Sequence, residues 1–226
     1  MIENDLSKIL LINKPLYWTS FDVVKKTRTL LKKKYSINKI KVGHCGTLDP
    51  LATGLLILCT GKKTKEIKNF ENLDKIYEGV LKLGCVTDSF DAETVEKNHR
   101  PYNDITYKKI QQVVLEFIGL QKQIPPIFSA IKLDGERLYK KARRGEKNIK
   151  LKKRTIMIHK LRIIKFIPPF VHFEVNCSKG TYIRSLANDI GINLGCGAYL
   201  YSLKRTQIGT YNLQNATSIS ILDARL

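Results

Sequence analysis

Residues 41–54 read KVGHCGTLDPLATG, and both the architecture and the chemistry of the chain turn on how this stretch is read. Asp49 precedes Pro50, which pushes Asp49 toward an extended backbone and away from helix. Pro50 fixes its own φ. Gly46 and Gly54 let the chain turn tightly on either side. A loop of this make-up can hold one carboxylate rigidly between a helix and a strand. Residues 23–65 carry eleven Lys or Arg and a single acid, Asp49. Surrounding cations favour its ionised form. An ionised, positioned carboxylate can serve as a nucleophile. Asp-Pro is also a common turn dipeptide, so on the residues alone Asp49 reads first as a turn former.

Upstream of this loop, LSKILLIN reads as a strand. The period then changes: Val23, Val24, Thr27, Leu30 and Leu31 share one helical face between Thr19 and Tyr35. Thr19 with Asp22 three residues on resembles a capping box, with Asp in place of Glu. Downstream, LLILCT is a short apolar strand, and KIYEGVLKLGCVT alternates as a half-buried strand does. Ile110, Val113, Val114 and Phe117 mark a second helix. FSAIKL, TIMIHKLRII and FVHFEVNCS read as strands. Ile183, Leu186, Ala187, Ile190 and Leu194 mark a third helix, ended near Gly195. The pattern predicts an α+β fold: a mixed, largely antiparallel central sheet flanked by helices.

With 226 residues the chain can bury a substantial core, and 43% hydrophobic content makes disorder unnecessary. Forty basic residues against twenty acidic leave a net charge of +20. A bias toward Lys, Ile and Asn accounts for part of this excess, but the charge is unevenly placed. Residues 137–165 hold thirteen Lys or Arg and one acid, Glu146, whereas nine acids lie between Glu66 and Asp104. Two acid-poor blocks read as a footprint for the phosphates of a nucleic acid. The five cysteines form no CxxC pair and no zinc spacing, and the four histidines are scattered, so no metal is expected. An odd cysteine count behind an acidic N-terminus without a signal pattern points to a reducing compartment, either bacterial cytoplasm or an organelle interior. No apolar run reaches membrane-spanning length, so no membrane partner is expected.

The segment KVGHCGTLDPLATGLLILCTG resembles the signature of the TruB family of tRNA pseudouridine synthases. DKIYEGVLKLGCVTDSFDAE is similar to the family's second motif, IPPIFSAIKLDGERLYKKARRG to its third, and CSKGTYIRSLANDIGINLGCGAYLYSLKRTQIG to its C-terminal motifs. They occur in the family's order over residues 8–210, and several long motifs in order are far more specific than one short pattern.

The resemblance implies a pseudouridine synthase catalytic fold, and isomerisation of the uridine at position 55 in the T-loop of tRNA, without metal or organic cofactor. It implies Asp49 as the catalytic aspartate, leaving open whether it attacks base or sugar. Tyr77, in KIYEG, would stack on the target base and help remove its C5 proton; on the residues alone it is a half-buried strand tyrosine. Arg184, in KGTYIR, would pair with the catalytic aspartate, a role that suits a permanently charged, planar fork; its plainer reading is a cation at a helix start. Tyr182 would line the pocket beside the base, and Leu203 would wall it. Asp91 would contact the uracil edge or its surroundings, although an acid in an acid-rich loop is ordinarily solvated. His44 would touch the T-loop, Lys65 the RNA, and Lys132 would sit close to the site. Lys140, Lys141, Arg143 and Arg144 would face the tRNA backbone.

Bacterial members usually continue into a small RNA-binding domain of PUA type. The expectation here is one catalytic domain over residues 1–226 with that domain absent or truncated, acting as a monomer on the T-stem and loop of tRNA. Phe128 stands where tyrosine is frequent in relatives. A non-catalytic RNA-binding protein or RNA chaperone on the same fold would also suit the charge. A glycosidase-type hydrolase would want two opposed carboxylates, and only one strong candidate is present.

Overall fold

The structure, a computed structural model of the chain, describes residues 6–146, 149 and 151–225. In chain order the elements are β1 (Ile9–Lys14), α1 (Ser20–Lys34), β2 (Val42–His44), β3 (Ala52–Thr60), a 3-10 turn (Gly61–Glu66), α2 (Ile67–Glu71), β4 (Lys75–Leu83), α3 (Tyr107–Leu115), β5 (Gly119–Gln123), β6 (Lys132–Leu133), β7 (Glu136–Arg137), α4 (Leu138–Arg143), β8 (Arg154–Ile167), β9 (Phe170–Cys177), α5 (Ile183–Leu194), β10 (Ala198–Ile208), β11 (Tyr211–Asn212), a second 3-10 turn (Leu213–Asn215), β12 (Thr217–Ser218) and α6 (Ile219–Arg225). They divide into two compact units, Met1–Glu78 with Leu203–Leu226, and Gly79–Ser202. The boundary falls within β4 and β10, so each strand gives residues to both units.

In the first unit the strands run β12-β1-β3-β10, with β2 also on β3 and β11 on β10. The β1–β3 and β2–β3 pairs are antiparallel, and β1–β12 and β3–β10 are parallel. Helix α1 starts where the sequence signals it. The Thr19 side chain accepts from the Asp22 backbone at 3.0 Å, and the Asp22 carboxylate accepts from the Thr19 backbone at 2.9 Å. Such a cap contributes about 1 kcal/mol. Its apolar face, Val23, Val24, Leu30 and Leu31, packs with Ile12, Leu56 and Leu58. Leu55, Ile57 and Cys59 alternate with these along β3 and join Phe70 and Ile208 in a second cluster. Strand β3 is therefore buried on both faces, which is why LLILCT is a continuous apolar run. Burying each such Leu or Ile contributes roughly 1.5–3 kcal/mol.

In the second unit β5, β8 and β9 form an antiparallel sheet. Val171, Phe173, Val175 and Cys177 of β9 are buried at every second position, as the alternation predicts. Helix α3 buries Ile110, Val113 and Val114 and packs on β8 and α5. Helix α5 ends at Gly195, whose φ of 83° is the left-handed cap that glycine favours. In both units helices pack on mixed, mostly antiparallel strands, which bears out the α+β expectation. Among the described residues no helix is long and apolar enough to cross a membrane. All five cysteines are buried free thiols.

Three details depart from the sequence reading. The loop predicted over residues 41–54 is shorter, because its two ends are strand: β2 at Val42–His44 and β3 from Ala52. FSAIKL is strand only at Lys132–Leu133, paired with β7; ahead of it, the carbonyls of Ser129 and Ile131 accept from Tyr139 and Leu138 at the start of α4. AYLYSLKRTQI, where the sequence pattern assigns nothing, is the eleven-residue strand β10. Its burial follows no clean alternation, with Ala198, Tyr199 and Leu200 consecutive in the interior and two exposed residues after them.

Candidate active site

Asp49 lies in the loop that joins β2 to β3. Pairing of β2 with β3 runs from Val42 with Thr60 to His44 with Leu58 and is extended by the Cys45 backbone donating to Ile57. From Gly46 to Leu51 the chain leaves the ladder. Its own turn is closed by the Ala52 backbone donating to the Asp49 carbonyl at 3.0 Å. Both neighbours of Asp49 are fastened from outside the loop. The Ser20 hydroxyl accepts from the Leu48 backbone at 2.8 Å and donates to the Leu48 carbonyl at 3.1 Å. The Pro50 carbonyl accepts from the Tyr17 backbone at 2.8 Å. Leu48 is buried, Pro50 exposed and Asp49 half-buried, so Asp49 stands on a fixed base and is not sealed in the interior.

Two buried cations underlie this loop, and the sequence reading gives neither a role in the site. Arg205, 1% exposed on β10, donates from Nε to the Leu55 carbonyl at 2.8 Å, from Nη1 to Thr47 at 3.4 Å and from Nη2 to Gly46 at 3.2 Å. A planar fork with fixed donors suits carbonyls on both legs of one loop. Lys14, fully buried at the end of β1, donates from Nζ to the carbonyls of Pro15, Trp18 and Pro50 at 2.8, 2.6 and 3.4 Å. Burial pushes its ammonium down to about 8; the negative charge of Asp49 acts the other way, and Arg205 adds to the lowering. Gly54 is needed where β3 meets β10: at its φ of 105° a β-carbon would stand 2.3 Å from the Arg205 carbonyl. The sequence holds hints of both cations, a lone Lys closing an apolar strand ahead of Pro and an Arg in a mostly uncharged run, but both lie outside the two acid-poor blocks and enter the sequence reading only through the net charge.

The first unit also places Leu203 and Tyr77. Leu203 is half-buried and pairs in register with Ala52, three residues beyond Asp49. Tyr77 is buried on β4, directly after Ile76, whose carbonyl accepts from the Thr206 hydroxyl of β10. Asp49, Leu203 and Tyr77 thus belong to the neighbouring strands β3, β10 and β4 or the loop entering them. His44 is half-buried on β2, and its Nδ1 is buried without a hydrogen-bond partner among the described residues. Burial lowers its pKa, favouring the neutral ring. Lys65 is exposed on the 3-10 turn after β3.

In the second unit Arg184 is buried at the start of α5. Its Nη1 donates to the carbonyls of Phe128 at 3.0 Å and Ser89 at 3.3 Å, and its Nε lies 3.6 Å from Asp91 Oδ2. Asp91 is not a solvated loop acid. It is buried, and its Oδ1 accepts from the Ser89 hydroxyl at 2.6 Å and the Glu93 backbone at 2.9 Å. These bonds fix Asp91 with its Oδ2 facing Arg184. Tyr182 caps α5 and is held by Gln123, which accepts from its backbone at 2.8 Å and donates to its carbonyl at 3.0 Å. Lys132 is exposed on β6.

The four cations on and after α4 are not equivalent. Arg144 is bonded to both Glu136 and Glu146, Arg143 to Glu93 at 2.7 Å, and Lys141 lies 3.7 Å from Glu146. Lys140 is exposed. Part of the basic block 137–165, at residues 147, 148 and 150, lies outside the described residues. Cys85, Glu96 and His99 bring potential metal-binding atoms within 4.8 Å of one another, a grouping that their sequence spacing hides. The Glu96 carboxylate there already accepts from Lys82 and from the Tyr199 hydroxyl, each at 2.6 Å.

Comparison with known proteins matches residues 31–183 to the family model described as TruB family pseudouridylate synthase (N terminal domain). Residues 184–226 match the model described as tRNA pseudouridylate synthase B C-terminal domain. A tRNA pseudouridine synthase B of Chlorobium chlorochromatii is 50% identical over 94% of the chain and 83% of that relative. Its namesake in Parabacteroides distasonis is 48% identical over 96% of the chain and 92% of that relative. Among solved structures, a chain of a Cbf5-Nop10-Gar1 complex superposes with a TM-score of 0.71 at 28% identity. That match takes in 96% of this chain and 53% of the other, so the chain spans about half the length of that solved protein.

Proposed function

Because the chain belongs to the TruB family of pseudouridylate synthases, we propose that it converts a uridine of transfer RNA, uridine 55 of the T-loop, to pseudouridine, with Asp49 as the nucleophile. The observation that carries this reading is the mounting of Asp49. Asp49 is half-buried on a loop whose backbone is fixed at Gly46, Thr47, Leu48, Pro50 and Leu55 by Arg205, Ser20, Tyr17 and Lys14. A nucleophile held this way needs little reorganisation to reach its target. The relatives named tRNA pseudouridine synthase B supply the substrate class.

The reaction moves one bond. The N1–C1′ bond breaks, uracil turns, a C5–C1′ bond forms, C5 loses its proton and N1 gains one. Nothing is oxidised and no group is gained or lost. Asp49 adds to the base or to the sugar as the N1–C1′ bond breaks and leaves again once the C5–C1′ bond has formed. Tyr77 supplies an aromatic face for uracil and stands as acceptor for the C5 proton. Leu203 supplies an apolar wall. Arg184 is a permanently charged group set by Ser89, Asp91 and Phe128, and Tyr182 is fixed beside it in sequence by Gln123. The target base is stacked inside a folded loop and must be flipped out at a cost of about a few kcal/mol; phosphate contacts by the basic surface offset that cost.

Tritium release from tRNA labelled at uracil C5 tests the reading. The wild-type protein releases label, and Asp49→Asn releases none while still binding tRNA. A transcript with cytidine in place of uridine 55 releases none with either protein. Turnover by Asp49→Asn at the wild-type rate refutes the nucleophile, and undiminished release from the cytidine transcript refutes the site. Binding without any turnover by wild type leaves an RNA-binding protein instead.

A further inference from the structure

Beside the Asp49 loop the protein exposes apolar side chains that its own fold does not use. Leu16, Tyr17 and Phe21 are 42, 75 and 62% exposed. They lie within six residues, in the turn after β1 and the first turn of α1. This segment is tied to the two residues that flank Asp49. The Tyr17 backbone donates to the Pro50 carbonyl at 2.8 Å, and Ser20 exchanges two hydrogen bonds with Leu48. Lys14 adds bonds to Pro15, Trp18 and Pro50, so the turn and the catalytic loop are fastened as one piece.

Tyr17 itself is strained. Its φ of 65° lies in the left-handed region, where glycine is at ease and a β-carbon is disfavoured. An aromatic residue in that conformation, with its ring in solvent, stabilises nothing visible in the fold. Strain of this kind points to use by a ligand. Charge says which ligand. Asp22 beside Phe21 is an exposed acid, but its carboxylate is engaged by the Thr19 backbone and hydroxyl in the helix cap; beyond it residues 23–65 carry eleven Lys or Arg with Asp49 the only acid, and Lys25 on the next turn of α1 is exposed. Exposed aromatics set among cations fit an unpaired nucleobase, since every base offers a π-face.

We propose that Tyr17 and Phe21, with Leu16, form a stacking platform for an unpaired base of the RNA substrate adjacent to the target uridine. This rests on the reading of Asp49 as the nucleophile of a tRNA pseudouridine synthase. Once the target base is flipped toward Asp49, its neighbour in the strand loses a stacking partner. The platform replaces that partner, a short step from the aspartate.

The test compares wild type, Tyr17→Gly and Phe21→Ala for affinity to a tRNA transcript and for single-turnover pseudouridine formation, with Val95→Ala as a control at an exposed apolar position elsewhere. Tyr17→Gly removes the ring and relieves the backbone, so its melting temperature holds or rises and misfolding cannot explain a loss. The platform predicts that each substitution weakens binding about tenfold, that Val95→Ala changes nothing, and that the loss vanishes on a transcript made abasic at one nucleotide flanking the target. Wild-type affinity and rate in both variants overturn the proposal, as does an equal loss on every abasic transcript, which would place the contact on the RNA backbone. A wild-type protein that forms no pseudouridine refutes the functional reading, whereas an active wild type indifferent to Tyr17→Gly refutes the platform alone.

Discussion

Arg205 Nε donates to the carbonyl of Leu55 at 2.8 Å while Nη2 of the same guanidinium reaches the carbonyl of Gly46 at 3.2 Å. One buried side chain on β10 therefore spans both legs of the loop that presents Asp49. It acts through the loop backbone, as a positioning residue. Arg205→Met removes the donors and leaves buried carbonyls without partners, each costing about 1–3 kcal/mol. The expected destabilisation in urea is about 3 kcal/mol. Turnover should fall further than affinity for tRNA, because the aspartate is misplaced while the cationic surface is untouched. A variant with wild-type kcat and lowered stability alone would assign Arg205 to structure only.

Gly54→Ala tests the same junction from the other strand. A methyl group there meets the Arg205 carbonyl at 2.3 Å, and the φ of 105° is unfavourable for alanine. Strands β3 and β10 must separate where Arg205 pairs with Gly54, two positions from the Leu203–Ala52 pair. Destabilisation of about 3 kcal/mol is expected from the combined clash and backbone strain, readable as a lower urea midpoint. An unchanged midpoint would mean that the two strands part freely.

The second unit offers a charge-pair prediction. Arg184 and Asp91 are both buried, with Nε 3.6 Å from Oδ2, and Asp91 is further held by Ser89 and Glu93. Removing one charge of a buried pair costs about 3–5 kcal/mol, because the other charge is left uncompensated. Asp91→Asn should approach that loss in thermal unfolding and reduce turnover through a misplaced Arg184. Were Asp91 instead a contact to the uracil edge, the same change would raise KM for tRNA and leave the melting temperature in place.

Much of this was legible from the sequence, and the parts that were not share a cause. Helix α1 was readable from Thr19 to Tyr35 because its cap, stripe and stop are local signals, and β9 because alternation is local too. The Asp49 loop was recognisable from GTLDPLATG as a motif, and Asp-Pro between glycines already implied a fixed carboxylate. Its true anchors were not legible. Lys14 and Arg205 lie 35 and 156 positions from Asp49 in the chain, and a charged residue carries no sign that it is buried. By composition they were two of the chain's forty basic residues; in the fold they are interior donors to backbone carbonyls. The partner of Asp91 was illegible in the same way, since an acid-rich loop looks solvated until Arg184, 93 residues on, is known. Strand β10 was missed because its burial does not alternate along its length. Arg143 and Arg144 were readable as cations but not as cations already met by Glu93, Glu136 and Glu146.

The buried ammonium of Lys14 makes a pH-dependent prediction whose sign follows from its depressed pKa. Burial lowers it from 10.5 to about 8, with Asp49 opposing and Arg205 assisting. Between pH 8 and 10.5 the unfolded chain keeps the proton that the folded protein has released. Stability contributed by this residue therefore rises with pH across that window, by about 2 kcal/mol at pH 9.5 relative to pH 7. Lys14→Met has no proton to release and gains nothing there, so the difference in unfolding free energy between wild type and variant should shift in favour of the wild type by that amount. Comparing the two proteins cancels the titration of the other lysines, tyrosines and cysteines, which are common to both. A gap that stays constant from pH 7 to 9.5 would show that Lys14 keeps its ordinary pKa. The same deprotonation removes a positive charge and one donor from the group that holds Trp18 and Pro50. Turnover by wild type should accordingly decline as pH rises through about 8, and that alkaline limb should be missing from the weaker activity of Lys14→Met.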